Sequence, residues 1–254
     1  MLTLTFEHLE KIKDILPVPR KPAEVQMIDF LNGVLHVAEQ GCQWRALPKE
    51  FGNWHTIYTR FNRWSKNGTM DRIFTALQER DIIDIRTTIV GIDSTSVKVH
   101  PDGTGALKKS GEQATGRSKG GFTTKIHLAS ASAKSALAFR LSPGNAHDAP
   151  EGRLLLMEIS SQHDHYLAMD RAYEDNATRE LAAKQGFRPV VPPKSNRKEP
   201  WEYDKEVYKA RNEVERLFLR LKKRFRRIFT RYDKLDEMYM GFLYFGMIVD
   251  AILC

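Results

Sequence analysis

The segment Ile89-Val90-Gly91-Ile92-Asp93-Ser94-Thr95-Ser96-Val97-Lys98-Val99 decides how the rest of the chain is read. Its β-branched residues predict a strand, and its apolar first half predicts that the strand is buried. A carboxylate in the middle of such a strand is costly. Asp is disfavoured in strands, and an isolated buried charge loses its hydration. Asp93 therefore either pairs with an arginine or a backbone N–H, or carries chemistry. Beyond it, the Gly/Ser/Lys-rich stretch 102–121 reads as a mobile loop. Phe122 to Ala129 and Leu137 to Leu141 read as the next two strands. The turn between them, Ser130 to Ser135, lacks the Gly or Asp that a tight hairpin favours. A helix is predicted between Arg153 and Ile159, then a fourth strand, Tyr166 to Asp170, ending in a second carboxylate. Asn176 to Gln185 reads as a helix with Gly186 suited to its C′ position. Arg188 to Val191 reads as a short fifth strand closed by Pro192-Pro193. A long helix should run from Asp204 past Lys222. Three adjacent strands followed by helix, strand, helix, strand, helix predict an α/β fold, a mixed sheet flanked by helices.

Upstream of Ile89 the texture is helical. Met27, Phe30, Leu31, Val34, Leu35 and Ala38 recur at helical spacing before Gly41. Trp54, Ile57, Tyr58, Phe61 and Trp64 do the same, and Ile73, Phe74 and Leu77 mark a third helix. Three short amphipathic helices predict a small bundle of helix-turn-helix type, residues 1–84, ahead of an α/β domain, residues 85–254. The bundle is either a helical cap or a DNA-recognition domain. It holds 11 basic and 11 acidic residues, so its attraction to phosphate is weak, and Arg60 and Arg63 on the second helix are its candidate DNA contacts.

The charge of the chain is concentrated elsewhere. The whole sequence carries 40 Lys+Arg against 32 Asp+Glu, a net +8. Residues 205–231 alone hold 11 basic and 3 acidic side chains, which equals the entire surplus. A soluble protein with a polyanionic partner is the expected class. The two cysteines, Cys42 and Cys254, make neither a disulfide framework nor a Cys-rich zinc site, and point to a reducing, intracellular compartment. No run of 18 apolar residues occurs. Met240 to Leu253 comes closest, but Asp250 interrupts it. Glu7, Glu10 and Asp14 do not suit a signal peptide. Secreted, membrane-spanning and disulfide-rich classes are thereby excluded as expectations.

The helix after Asp204 carries the sharpest pattern. On an ideal helix Tyr208, Arg211, Glu215 and Lys222 fall within an arc of about 60°. Val207, Val214, Leu217, Phe218, Leu221 and Phe225 form an adjoining apolar stripe that should pack on the sheet. Lys205, Lys209, Arg216, Arg220, Lys223 and Arg227 form a basic stripe facing outward. Glu215 would then sit at the sheet margin, where it can meet Asp93 and Asp170. The plainer alternative is an amphipathic helix with Arg211 and Glu215 as an ordinary i,i+4 pair.

These residues carry a resemblance. Tyr208, Arg211, Glu215 and Lys222 match the Y-x2-R-x3-E-x6-K signature of DDE transposases of bacterial insertion sequences, of the insertion-sequence-five kind. Gly91 to Lys98 looks like the block holding that family's first catalytic Asp, and Met169-Asp170-Arg171-Ala172-Tyr173 like the block holding the second. Thr123 to His127, Pro143 to Asp148, Pro193 to Arg197, Trp44 to Pro48 and Phe51 to Trp54 are also of family type. The resemblance runs from about residue 20 to about residue 250. It implies an RNase H-like catalytic domain behind the N-terminal helical domain. It implies metal-dependent cleavage at the ends of the element and attack of the freed 3′-OH on target DNA. An RNase H-like nuclease without strand transfer and a catalytically idle DNA-binding relic are the alternatives.

On this resemblance Asp93, Asp170 and Glu215 are catalytic residues and metal ligands. They would hold two Mg²⁺ ions, replaceable by Mn²⁺, with Asp93 bridging and the other two carboxylates serving one ion each. Three carboxylates suffice for such a pair, and no side chain need act as a general base. Lys222 would reach a phosphate near the scissile bond. Arg211 would contact phosphate or orient Glu215, and Tyr208 would pack or position rather than attack. Lys119, Lys125, Lys194 and Arg197 either line a DNA channel or are solvated surface. His127 and His147 are read as structural, since a hard ion prefers oxygen. The implied partners are double-stranded DNA, both terminal repeats and target, and further copies of the chain in a dimer or larger assembly. No membrane is involved, and the implied location is the bacterial cytoplasm, at the nucleoid.

Overall fold

The computed structural model describes residues 2–18, 24–161 and 164–253. The chain divides into two compact units. Residues 1–83, 99–113 and 221–254 make the first, and residues 84–98 and 114–220 make the second. Residues 99–113 and 221–254, expected in the domain 85–254, group with the N-terminal helices in the first unit.

In the first unit the apolar periodicity forms the expected helices. They are α1 (Phe6–Glu10), α2 (Met27–Gln40), α3 (Trp54–Lys66) and α4 (Thr69–Glu79). Asn53 starts α3 by accepting the His55 N–H at 2.9 Å. Phe30, Leu31, Val34 and Leu35 of α2, Ile57, Phe61 and Trp64 of α3, and Ile73, Phe74 and Leu77 of α4 are all buried. They pack on a helix that periodicity did not mark, Asp236–Ile252. Phe61 meets Phe242 with ring centroids 4.7 Å apart. This is the apolar tail that came nearest to a membrane span. Tyr239, Phe242, Phe245, Ile248 and Val249 make it the centre of a helical core. Among the described residues no helix is long and apolar enough to cross a membrane.

Two basic side chains of this unit depart from expectation. Arg227, placed on the outward basic stripe, is buried. Its guanidinium donates to the Cys42 carbonyl at 2.5 Å, lies 3.5 Å from the Asp233 carboxylate and stacks on Tyr232. Arg60, a candidate DNA contact, is half-buried. It lies over the Phe30 ring and donates to the Val25 carbonyl at 3.1 Å. Both long stems cover apolar surface while the head groups bond within the unit.

Among the described residues, the mixed sheet of the second unit is built from β1 (Ile89–Val99, its last residue assigned to the first unit), β2 (Gly116–Ser118), β3 (Gly121–Ser130), β4 (Ala136–Pro143), β5 (Tyr166–Met169) and β6 (Arg188–Val190). Their order is β2-β3-β1-β5-β6, with β4 pairing β3 beyond β2 on the same edge. β1 runs antiparallel to β3 and parallel to β5, and β5 parallel to β6. β2 lies inside the stretch read as a loop. The hairpin between β3 and β4 turns without Gly or Asp. The Ala131 N–H donates to the Ser135 carbonyl at 2.9 Å and the Lys134 N–H to the Ser132 hydroxyl at 3.1 Å, so serine supplies the turn chemistry.

Helices α5 (Asp148–Leu156) and α6 (Asn176–Lys184) cover one face of this sheet. Val90, Ile92, Leu167 and Met169 of the sheet meet Leu155, Leu156, Ala182 and Phe187 there. The segment expected as one long helix is in fact three: α7 (Lys205–Lys209), α8 (Asn212–Arg224) and α9 (Arg226–Phe229). Between the first two, the N–H groups of Ala210, Arg211, Glu213 and Val214 reach back three residues to Val207, Tyr208, Ala210 and Arg211. The chain tightens into 3₁₀ geometry at that joint. Val214, Leu217, Phe218 and Leu221 are buried as the stripe predicts. Helix α8 passes out of the second unit after Arg220, and the C-terminal helix of the first unit is α10 (Asp236–Ile252).

Candidate active site

The strand register brings the two aspartates together. Ile92 pairs with Met169, so Asp93 and Asp170 are the next residues on neighbouring parallel chains. Ile92 and Met169 point to the α5 and α6 side, and the alternation of side chains turns Asp93 to the other face. Helix α8 approaches that face at Gly91. A Cβ there would stand 2.5 Å from Val214 Cγ2, so only glycine lets the helix lie this close to the strand. The approach carries Arg211 and Glu215 to Asp93.

Arg211 joins the carboxylates. Its Nη1 donates to Asp93 Oδ2 at 2.6 Å and lies 2.7 Å from Glu215 Oε1. The two acidic groups therefore share one guanidinium nitrogen, although their residues are more than a hundred positions apart. Asp93 Oδ1 accepts the Ser94 N–H at 2.7 Å. Asp170 accepts the Arg171 N–H at 2.7 Å and caps the single turn Arg171–Tyr173. The side chains of Asp93 and Arg211 are 14% and 15% exposed, whereas Glu215 is 54% exposed, so the cluster is open on the Glu215 side.

Burial pushes the Asp93 carboxyl up to about 6. The Ser94 N–H and Arg211 oppose the rise, and the charges of Asp170 and Glu215 add to it. Three carboxylates against one guanidinium leave the cluster short of positive charge. Its donors are oxygens only, which suits a hard divalent cation. Among the described residues no three acidic, His or Cys side chains already stand in a metal-holding group. Arg211 occupies the place between Asp93 and Glu215. The donor chemistry, oxygen only, fits a divalent ion.

The other expected site residues lie as follows. Tyr208 is half-buried, with the Arg211 guanidinium 5.7 Å from its ring centroid. Burial raises its hydroxyl above the ordinary tyrosine value. Lys222 stands two turns beyond Glu215 on α8, and burial lowers its ammonium below the ordinary lysine value. Lys119 is exposed in the turn between β2 and β3, and Arg63 is exposed on α3. Lys125, read as lining a DNA channel or as solvated surface, donates to Asp148 Oδ1 at 2.9 Å and to the Ala146 carbonyl at 2.7 Å. Lys194 and Arg197 both pair with the buried Glu174. His127 is fully buried, bonded to the Ser142 hydroxyl at 2.8 Å, and lowered to about 4 by burial, so it is neutral. His147 stands at the start of α5. Ser94 and Asp148, which touch or back the site, stand in stretches of family type but were not singled out as site residues.

Residues 4–74 match the family described as transposase of the IS4/5 family, and residues 86–243 match the transposase DDE domain. An uncharacterized protein y4sN of Sinorhizobium fredii is 32% identical over 83 residues, which are 32% of this chain and 62% of that protein. The chain thus spans less than two thirds of the length of that relative. Among solved structures, a piggyBac transposase synaptic complex with hairpin DNA aligns over 97% of this chain and 69% of its own, at 8% identity and a TM-score of 0.53. At that identity the likeness shows the fold, an RNase H-like mixed sheet flanked by helices. A Mos1 strand transfer complex aligns over 91% of this chain and 78% of its own at 12% identity and a TM-score of 0.31, which carries no argument. With its second match spanning more than half of the sequence, the chain belongs to the transposase DDE domain family.

Proposed function

We propose that this protein is a DNA transposase that cleaves at the ends of an insertion sequence and joins the freed 3′-OH to target DNA. The observation that supports the reading is Arg211 bridging Asp93 and Glu215, with Asp170 next in register to Asp93 on the neighbouring strand. Asp93, Asp170 and Glu215 would hold the divalent ions, Mg²⁺ with Mn²⁺ as substitute. Such ions, when bound, activate the attacking oxygen and stabilise charge on the leaving 3′-oxygen. The residues of the chain do the rest. Arg211 neutralises Asp93 and Glu215 while no DNA is present, and its guanidinium then either contacts a phosphate or keeps Glu215 oriented. Lys222 contacts a phosphate beside the scissile bond, and Tyr208 packs against Arg211. Lys205, Lys209, Arg216 and Lys223, exposed along α7 and α8, supply a sequence-independent phosphate track. Arg63 and Lys119 extend the DNA contacts.

Double-stranded DNA is the partner, and two ends handled together require a dimer or larger assembly. The match of residues 4–74 to the IS4/5 family supports a role for the N-terminal helices in reading the ends. The test uses purified protein, end DNA and a precut end with target DNA. Asp93→Ala, Asp170→Ala and Glu215→Ala should each abolish cleavage and joining with Mg²⁺ present while DNA binding persists. Cleavage retained by any one of them contradicts the assignment, and cleavage without joining by the unaltered protein favours a nuclease.

A further inference from the structure

Behind the Asp93 face of the sheet lies a chain of polar contacts that the proposed chemistry does not use. Beyond the Ile92–Met169 pair, β1 no longer has β5 beside it. From Asp93 onward its paired neighbour on the other side is β3, as far as Lys98. The first residue after Asp93 is also the first held from the opposite face. The Ser94 hydroxyl donates to Asp148 Oδ1, the first residue of α5, at 3.0 Å. The same oxygen accepts the Lys125 ammonium from β3 at 2.9 Å, and Lys125 reaches on to the Ala146 carbonyl at 2.7 Å. Lys125 and Asp148 are 17% and 25% exposed, so water competes little for this pair.

The loop that delivers Asp148 is itself fixed. The Gly144 N–H donates to the Thr123 carbonyl at 3.0 Å, and a Cβ on Gly144 would collide with the Thr123 side chain and carbonyl. The stretches Thr123 to His127 and Pro143 to Asp148 therefore form one rigid support. It ends on Ser94, whose own N–H donates to Asp93 Oδ1 at 2.7 Å. We infer that Ser94, Asp148 and Lys125 are positioning residues for the reaction: they fix β1 where β5 ends, and so fix the carboxylate of Asp93 against the pull of Arg211. The inference rests on the reading of Asp93 as an acidic residue of the active site.

The hydroxyl is the testable link. Removing it leaves the strand, the ion pair and the core in place, because Lys125 still holds Asp148. A displacement of the Asp93 carboxylate by a fraction of an ångström to 1 Å should slow strand cleavage by about 10- to 100-fold. It should leave the affinity for end DNA within about twofold, since none of the three residues faces DNA in this reading. Single-turnover cleavage, DNA affinity, Mn²⁺ affinity measured by calorimetry with the metal alone, and thermal melting should be compared for Ser94→Ala, Ser94→Thr, Asp148→Ala and Asp93→Ala. The expected pattern is slow cleavage and weaker Mn²⁺ binding for Ser94→Ala with its melting temperature kept, and recovery of both in Ser94→Thr, which retains the hydroxyl. Asp148→Ala should be at least as slow, and if it fails to fold the serine pair still decides. Cleavage by Ser94→Ala at the unaltered rate, with Asp93→Ala inactive, overturns the positioning role alone. Equal slowing in Ser94→Ala and Ser94→Thr also overturns it, because packing and not the hydroxyl would then be responsible. Activity in Asp93→Ala overturns the reading of the site and this inference with it.

Discussion

Replacing Asp93 with Asn should stabilise the metal-free protein at neutral pH, although it destroys the proposed active site. In the folded chain the Asp93 carboxyl is held at about 6 against an ordinary value of 3.8, chiefly by burial. Each unit of that gap is worth about 1.4 kcal/mol, so ionised Asp93 opposes folding by about 3 kcal/mol. The side chain is 14% exposed, so solvent screening removes little of this. Between pH 3.8 and 6 the folded state binds this proton more than the unfolded chain does. The contribution of Asp93 to stability therefore falls as pH rises through that window. The penalty is complete above it and absent below it. Asn resembles the protonated carboxyl in shape and lacks the charge, and Arg211 keeps Glu215 as a partner. Urea denaturation in the presence of a chelator, followed by circular dichroism at several pH values, should show the variant more stable by about 3 kcal/mol well above pH 6. The difference should shrink toward zero near pH 4. A variant equal to or less stable than the parent above pH 6, or a difference that does not change with pH, refutes the account of Asp93 as a strained carboxylate awaiting a cation.

Three other outcomes are expected. Gly91→Val should push α8 away from β1, since even a Cβ would stand 2.5 Å from Val214. A loss of about 1–3 kcal/mol in stability together with loss of cleavage is predicted, and unchanged cleavage would show that the close approach is not needed. Lys222→Ala should slow cleavage of end DNA while thermal melting stays close to that of the parent, and unaltered cleavage kinetics would remove its phosphate role. DNA affinity should fall by more than about tenfold between 50 and 200 mM salt, and a flat response would argue against the exposed lysines and arginines of α7 and α8 as a phosphate track.

The parts of the fold that could be read from sequence are those in which local pattern and tertiary environment agree. The strand around Asp93 was legible because β-branched residues and burial coincide there. Helices α2, α3 and α4 were legible because their apolar residues keep one face. Helix α10 was not, because it is buried nearly all round and has no polar face to set a period. Arg211, in the joint between α7 and α8, meets Asp93 across 118 positions, a contact that no local rule contains. Arg227 reads as a solvated base on a helical wheel, yet Asp233 and the Cys42 carbonyl hold it inside. Lys125 shows the same limit at the site. Its charge and its neighbours suggest a DNA contact, and only the folded position of Asp148 reveals the ion pair. Glu215 was proposed from the signature it shares with Tyr208, Arg211 and Lys222, and Asp93 and Asp170 from blocks that look like the family's. The guanidinium bridge between Asp93 and Glu215 comes from the packing of α8 on Gly91.

A crystal structure of the protein with cleaved end DNA and Mn²⁺, with data collected at the manganese edge, tests the central claim most directly. The account predicts anomalous peaks within coordination distance of Asp93, Asp170 and Glu215, with Arg211 displaced from between the carboxylates. Manganese bound elsewhere, or Arg211 still bridging Asp93 and Glu215 with no peak beside them, would contradict it.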